Sequence, residues 1–190
     1  MDATFTIPEE LAGRLRSASS VVAMTAAGVS AESGVPTFRD AQTGLWATYD
    51  PAQLATPEAF ARDPELVWRW YLWRRELVAA AEPNPGHRAL AALQERVPSP
   101  LLVTQNVDGL HQRAGSRDVV ELHGNITRTR CGTCSAIHRG EVQLDDGVPR
   151  CTSCDGQLRP DVVWFGEMLP LQALERAAAA SRACDLFLTV

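Results

Sequence analysis

The chain has 190 residues, 45% of them hydrophobic, which suits one domain with a small insert and argues against disorder. Its 18 basic and 23 acidic residues give a net charge of −5 without blocks of like charge, so nucleic acid is not an expected partner; phosphate binding needs a clustered basic face. No apolar run approaches the ~18 residues of a membrane span, and the first ten residues lack a signal peptide's basic and apolar regions, so a cytoplasmic protein with no membrane partner is expected. Oligomeric state has no readable signature.

In chain order, Glu9 to Ala18 reads as a short helix with Leu11 and Leu15 on one face. The apolar run Ser20 to Met24 reads as a buried strand, followed by a small-residue turn from Thr25 to Gly34. Asp40 to Asp50 is loop-like. Pro64 to Ala81 reads as a helix with proline in its first turn, and His87 to Val97 as another. Leu101 to Thr104 is a second buried strand that runs into Gln105-Asn-Val-Asp-Gly-Leu-His111. Val119 to Leu122 is a third, ending at His123-Gly-Asn125. From Thr127 to Arg159 the composition shifts to cysteine, glycine and charge, as in a small module that needs more than a core to hold it. Val162 to Trp164 and Leu186 to Val190 read as strands flanking the helix Leu171 to Ala183. Alternating strands and helices imply an α/β fold with a parallel sheet.

Cys131-x-x-Cys134 and Cys151-x-x-Cys154 are separated by 16 residues, 135 to 150, within the spacing of a structural zinc ribbon. Four thiolates complete a closed tetrahedral shell with no open position, which assigns one zinc ion to folding rather than chemistry. The competing reading is two disulfides or reduced buried thiols. Cys184 reads as a buried structural thiol.

A strand, a small-residue turn and a helix start can receive a pyrophosphate on backbone N–H groups. Gly28 and Gly34 lack the Gly-x-Gly-x-x-Gly spacing, so the turn alone is a weak signal. Five segments in order sharpen it. Thr25-Ala-Ala-Gly-Val-Ser-Ala-Glu-Ser-Gly-Val-Pro-Thr-Phe-Arg-Asp40 resembles the cofactor loop of the sirtuins. Thr104 to His111 resembles the family's second signature and Glu121-Leu-His-Gly124 its catalytic one. The four cysteines follow in place, and Arg159-Pro-Asp-Val-Val-Trp-Phe-Gly-Glu167 resembles the segment that pairs with the substrate peptide.

The resemblance implies a Rossmann-like NAD-binding domain over 1–126, with helices on both faces of the sheet and a helical insert at about 40–85. A zinc module over 127–159 and a return to the Rossmann-like domain over 160–190 complete it. It implies NAD⁺ as cosubstrate, acylated lysine side chains of proteins as partners, and free lysine, nicotinamide and O-acyl-ADP-ribose as products. Ala27, Gly28, Phe38 and Arg39 are expected in the cofactor loop, Phe38 shielding the reacting ribose carbon and Arg39 contacting phosphate. Gln105, Asn106 and Asp108 are expected at the ribose and nicotinamide, His123 as general base, and Val162, Phe165 and Gly166 against the substrate. Imidazole titrates near neutrality, so His123 can take a hydroxyl proton without standing charged. His111 reads as structural; His87 and His138 have no assigned role.

Tyr71 and Arg74 lie three apart on one helix, with Ala55 sixteen residues before Tyr71. This resembles the bacterial class III-like subgroup that removes succinyl or malonyl groups as well as acetyl. A guanidinium and a phenol can hold a carboxylate, and a small Ala55 leaves room for the longer acyl chain. The competing reading is an aromatic amphipathic helix with a solvated arginine. Two departures stand out: Ala26 replaces the loop's first glycine, and the family continues past Leu186–Val190 with a Gly-Thr-Ser turn and further strands, so the chain reads as C-terminally truncated. The alternatives are a protein mono-ADP-ribosyltransferase on the same NAD⁺ site, and an inactive zinc- and NAD⁺-binding module.

Overall fold

The computed structural model describes residues 6–36, 50–144 and 147–190. Phe38 and Arg39 lie outside them, as does all of the expected loop from Asp40 except Asp50. After α1 (Glu9–Ser17) comes β1 (Ser20–Thr25), then α2 (Ala27–Ala31), α3 (Pro51–Leu54), α4 (Pro57–Arg62), α5 (Pro64–Ala80), α6 (Pro85–Arg96) and β2 (Ser99–Thr104). The chain continues through α7 (Leu110–Arg113), β3 (Val119–Glu121), β4 (Gly124–Cys131), β5 (Ile137–His138), β6 (Leu158–Val162), α8 (Leu171–Ala183) and β7 (Leu186–Thr189).

Four strands form a parallel sheet in the order β3-β2-β1-β7, with Val22 opposite Leu101 on one side and Phe187 on the other. Both of its faces are covered, which is why β1 and β2 read as continuous apolar runs. Val22, Leu101, Val103 and Val120 pack with Ala177 of α8, while Ala23 and Leu102 pack with Leu90 of α6. The chain builds outward from β1 through β2 to β3 and then crosses to β7, so the strand order reverses beside β1, the position where such sheets bind ligands.

The second sheet is antiparallel, in the order β5-β4-β6. Here the structure corrects the sequence reading. The expected strand Val162 to Trp164 is instead the end of β6, Leu158–Val162. Val163 donates its N–H to the His123 carbonyl and Trp164 donates its N–H to the Glu167 side chain, so the chain turns instead of extending. β4 escaped the pattern because only Ile126 is a large aliphatic in Gly-Asn-Ile-Thr-Arg-Thr-Arg-Cys. It starts beside His123 and ends in a zinc-ligand cysteine, so the boundary drawn at 126/127 falls inside one strand. Helices α3 and α4 fall within the helical insert expected at about 40–85, although the sequence reading marks neither as an element of its own. The helical segment and the zinc sheet share one core, in which Phe60, Trp68, Trp70 and Tyr71 pack with Ile126, Cys131, Cys151, Leu158 and Trp164.

Candidate active site

A cavity of about 400 Å³ opens where the two sheets meet. The C-terminal end of β2 contributes Gln105, Asn106 and Asp108, α2 contributes Ala27 and Ser30, and the helical segment contributes Ala55, Tyr71 and Arg74. The turn after β6 closes it with Val162, Trp164, Phe165, Gly166 and Glu167, and His123 stands in its wall. Of the sequence-predicted cofactor, substrate and catalytic residues within the described chain, all but Gly28 line this cavity. Gly28 is exposed on α2, and a Cβ there would meet nothing within 4 Å. Ala26 has φ −134° and ψ −168°, extended backbone open to any residue, so its methyl brings no conformational strain.

His123 is held by the loop that follows β2. Its Nδ1 lies 2.9 Å from the Gln105 carbonyl oxygen. A carbonyl only accepts, so Nδ1 carries the proton, and in the neutral ring Nε2 holds the basic lone pair. The next residue must be glycine: Gly124 has φ +79°, and a Cβ would sit 2.2 Å from the Asp161 carbonyl oxygen.

Beneath the cavity floor lies a hydrogen-bonded network that the sequence reading missed. Asn106 Nδ2 donates to the Ala26 carbonyl at 2.8 Å and to Ser30 Oγ at 3.1 Å, which leaves its Oδ1 as the acceptor on offer. Ser30 donates to Asp108 Oδ2 at 2.7 Å, and Asp108 Oδ1 accepts the Leu110 N–H at 2.9 Å. His87 Nδ1 accepts the Asn84 N–H, completing a capping box at the start of α6; its neutral ring therefore carries the proton on Nε2, which faces Ser30 Oγ at 3.4 Å. His111 Nε2 pairs with Thr25 Oγ1 at 2.8 Å, and the two imidazoles pack at 4.8 Å. Burial holds both histidines below their usual pKa, His111 at about 4. The readable sign was Asn84-Pro-Gly-His87, a helix cap with proline at its first turn.

On the opposite wall Tyr71 Oη accepts a hydrogen bond from Trp164 Nε1 at 2.9 Å, and burial pushes its pKa up to about 12. Arg74 projects from the same helix face with its guanidinium 4.9 Å from the Trp70 ring, and burial lowers its pKa. The 162–167 turn is clasped by Arg159, which pairs with both oxygens of Glu167 and donates to the Val162 carbonyl. Although burial pushes the Glu167 carboxyl up, Arg159 and the Trp164 N–H hold it below its usual value.

The four paired cysteines come together at the far end of β4, their sulfurs all within 4.8 Å of one another. Cys131 and Cys154 stand 3.5 Å apart and Cys134 and Cys151 3.8 Å, far beyond the ~2.05 Å of a disulfide, and all four thiols are free. Backbone N–H groups of Thr133 and Cys134 point at the Cys131 sulfur, and that of Ser153 at Cys151, as in knuckles that aim thiolates at a cation. The donor set fits one structural zinc ion. Among the described residues no helix is long and apolar enough to cross a membrane.

Residues 26–190 match the sequence profile described as the Sir2 family. An NAD-dependent protein deacylase of Pseudomonas aeruginosa is 58% identical over 192 residues, spanning 97% of this chain and 75% of that protein. Among solved structures, a Sir2 homologue in complex with NAD superposes with a TM-score of 0.89 at 46% identity, over 97% of this chain and 72% of that one. A mutant Sir2 homologue bound to 2′-O-acetyl ADP ribose gives 0.86 at 46% identity, over 96% and 74%.

Proposed function

The chain belongs to the Sir2 family, and from that premise we propose that it is an NAD⁺-dependent protein-lysine deacylase with His123 as its general base, acting on acetyl-lysine and on succinyl- or malonyl-lysine. The observation that carries the reading is the His123 tautomer. With Nδ1–H committed to the Gln105 carbonyl, Nε2 is the one basic nitrogen, on a cavity shared with Asn106, Tyr71 and Arg74. NAD⁺ supplies an electrophilic ribose carbon and the ribose hydroxyl that accepts the acyl group. Nε2 takes the proton from that hydroxyl. Asn106 Oδ1 is the acceptor for the nicotinamide amide, and Asp108, fixed by Ser30 and the Leu110 N–H, keeps further lone pairs for the sugar. Ala27, Gly28, Phe38 and Arg39 are assigned to cofactor binding, the last two lying outside the described residues.

Val162, Phe165 and Gly166 flank the acyl-lysine, and the pocket at its far end reads the acyl group. Ala55, 3% exposed, leaves space, while the Arg74 guanidinium and the Tyr71 hydroxyl meet a terminal carboxylate by charge-assisted bonds. The test is incubation with NAD⁺ and matched acetyl- and succinyl-lysine peptides, following O-acyl-ADP-ribose by mass spectrometry. His123→Ala is expected to lower turnover about 10²–10⁴-fold while leaving the circular dichroism unchanged. Full activity in that variant would remove His123 as the base, and labelled ADP-ribose left on protein instead of on a released acyl group would favour the transferase alternative.

A further inference from the structure

Tyr71 is 1% exposed, so its hydroxyl has to find partners within the wall or in the cavity. An indole N–H is a donor only. Because Trp164 Nε1 gives its hydrogen to Tyr71 Oη at 2.9 Å, the phenol is the acceptor in that bond and must place its own proton elsewhere. The charged groups whose fields reach the phenol are Arg74, Arg159 and Glu167. Both arginines are donors without acceptor capacity. Glu167 has its oxygens engaged by Arg159 and by the Trp164 backbone N–H. Among the described residues the phenol has no hydrogen bond beyond the one it accepts from Trp164, so its proton is left for an acceptor that arrives in the cavity.

The indole is not at liberty to turn its N–H away. Trp164 is 3% exposed, lies under the Arg159 guanidinium at 3.4 Å from its ring centroid, and packs against Phe60 at 5.2 Å. We propose that Trp164 is a specificity-determining positioning residue: its indole N–H fixes Tyr71 as a hydrogen-bond donor to the acyl group and thereby favours acyl chains that end in a carboxylate. The inference rests on the reading of Tyr71 and Arg74 as the acyl-reading pair. A carboxylate accepts both the phenolic proton and the guanidinium. A short neutral acyl group ends in a methyl and leaves that proton without an acceptor, which is how a polar pocket rejects a ligand lacking the matching group.

Trp164→Phe keeps an aromatic ring between Arg159 and Phe60 but deletes the N–H, so the phenol can turn and accept from its arginine neighbour. The readout is the ratio of kcat/KM for a succinyl-lysine peptide to that for the matched acetyl-lysine peptide. This ratio is expected to fall about three- to tenfold in Trp164→Phe. Tyr71→Phe should lower it at least as far, and the double variant no further than Tyr71→Phe alone. A ratio unchanged in Tyr71→Phe overturns the acyl reading and the inference with it. A ratio lowered by Tyr71→Phe but not by Trp164→Phe overturns the role of Trp164 alone. An equal loss on adding Trp164→Phe to either background assigns Trp164 to packing and overturns its action through the hydroxyl.

Discussion

In the parallel sheet, Val22, Leu101 and Val103 lie under α8 and Ala23 and Leu102 under α6, and the polar bonds from these helices fall at its rim, where Gln94 Nε2 donates to the Asp118 carbonyl at 2.9 Å and Arg176 pairs with the Asp118 carboxylate. In the antiparallel sheet, the helix across its face is fastened by directed polar bonds. Trp68 Nε1 donates to the Leu158 carbonyl at 2.8 Å, and Arg75 donates to the carbonyls of Ile126 at 2.6 Å and Arg128 at 2.7 Å. The difference follows from β4 itself. Its pairing with β6 shifts register between Gly124 and Thr129, and the residues in the shift expose carbonyls that a regular ladder would satisfy. The first region contributes His123, the proposed base, and the Asn106 loop, the second α5, the proposed acyl-reading helix. The cavity exists because an irregular strand, held by side chains, joins them.

The largest expected effect breaks the second region and spares the first. Cys131 and Cys151 belong to the same core as Trp68, Trp70 and Trp164, with Trp73 packed against it. A structural zinc ion contributes on the order of 10 kcal/mol to the folding of small modules. Chelation or Cys151→Ser is therefore expected to remove one equivalent of zinc and to red-shift the tryptophan emission, since four of the five tryptophans report on this core. Helical circular dichroism from α6 and α8 should largely persist. Unchanged emission after metal loss would show that helix and zinc sheet do not share a cooperative core. A smaller effect is expected at Arg75, whose guanidinium also lies 5.2 Å from the Trp68 ring. Arg75→Met leaves two carbonyls without their donor and should cost about 1–3 kcal/mol, lowering Tm by about 3–10 °C. Arg75→Lys should recover only part, because an ammonium cannot span both oxygens. A Tm unchanged in Arg75→Met would show that water satisfies the strand as well.

The same contrast decides what was legible. Buried parallel strands announce themselves as apolar runs, so β1 and β2 follow from pattern alone, as do the more exposed apolar run of β7 and the helix Leu171–Ala183. β4 and β6 carry Thr, Arg, Pro and Asp, because their partners are side-chain donors and a metal, and periodicity does not register either. Thr56-Pro57 did hold a sign of α4, since the Thr56 hydroxyl caps Ala59 N–H with proline in the first turn. The cavity residues were legible through their order along the chain, not through local chemistry. Nothing in the pattern disclosed that Tyr71 meets Trp164, 93 residues on, or that His87 and His111 face each other.

An effect that vanishes at neutral pH belongs to that histidine pair, a polar element of the parallel-sheet region. His111 is 1% exposed, and its Nδ1 has no partner among the described residues, so protonation would bury a second N–H with no acceptor. Burial first, then the neighbouring His87, bring its pKa down from 6.5 to about 4. Between these values the unfolded chain binds a proton that the folded one does not, so stability falls as pH falls through that window. From pH 7 to pH 5 the loss is about 2 kcal/mol, read as a lower urea midpoint at unchanged slope. Thiolate protonation at the zinc site also weakens the protein in acid, and zinc retention followed in parallel separates the two. His111→Gln should shrink the pH dependence that appears while zinc is still bound, leaving the share that buried His87 contributes. If the variant keeps the full dependence with zinc in place, the acid sensitivity does not arise at His111.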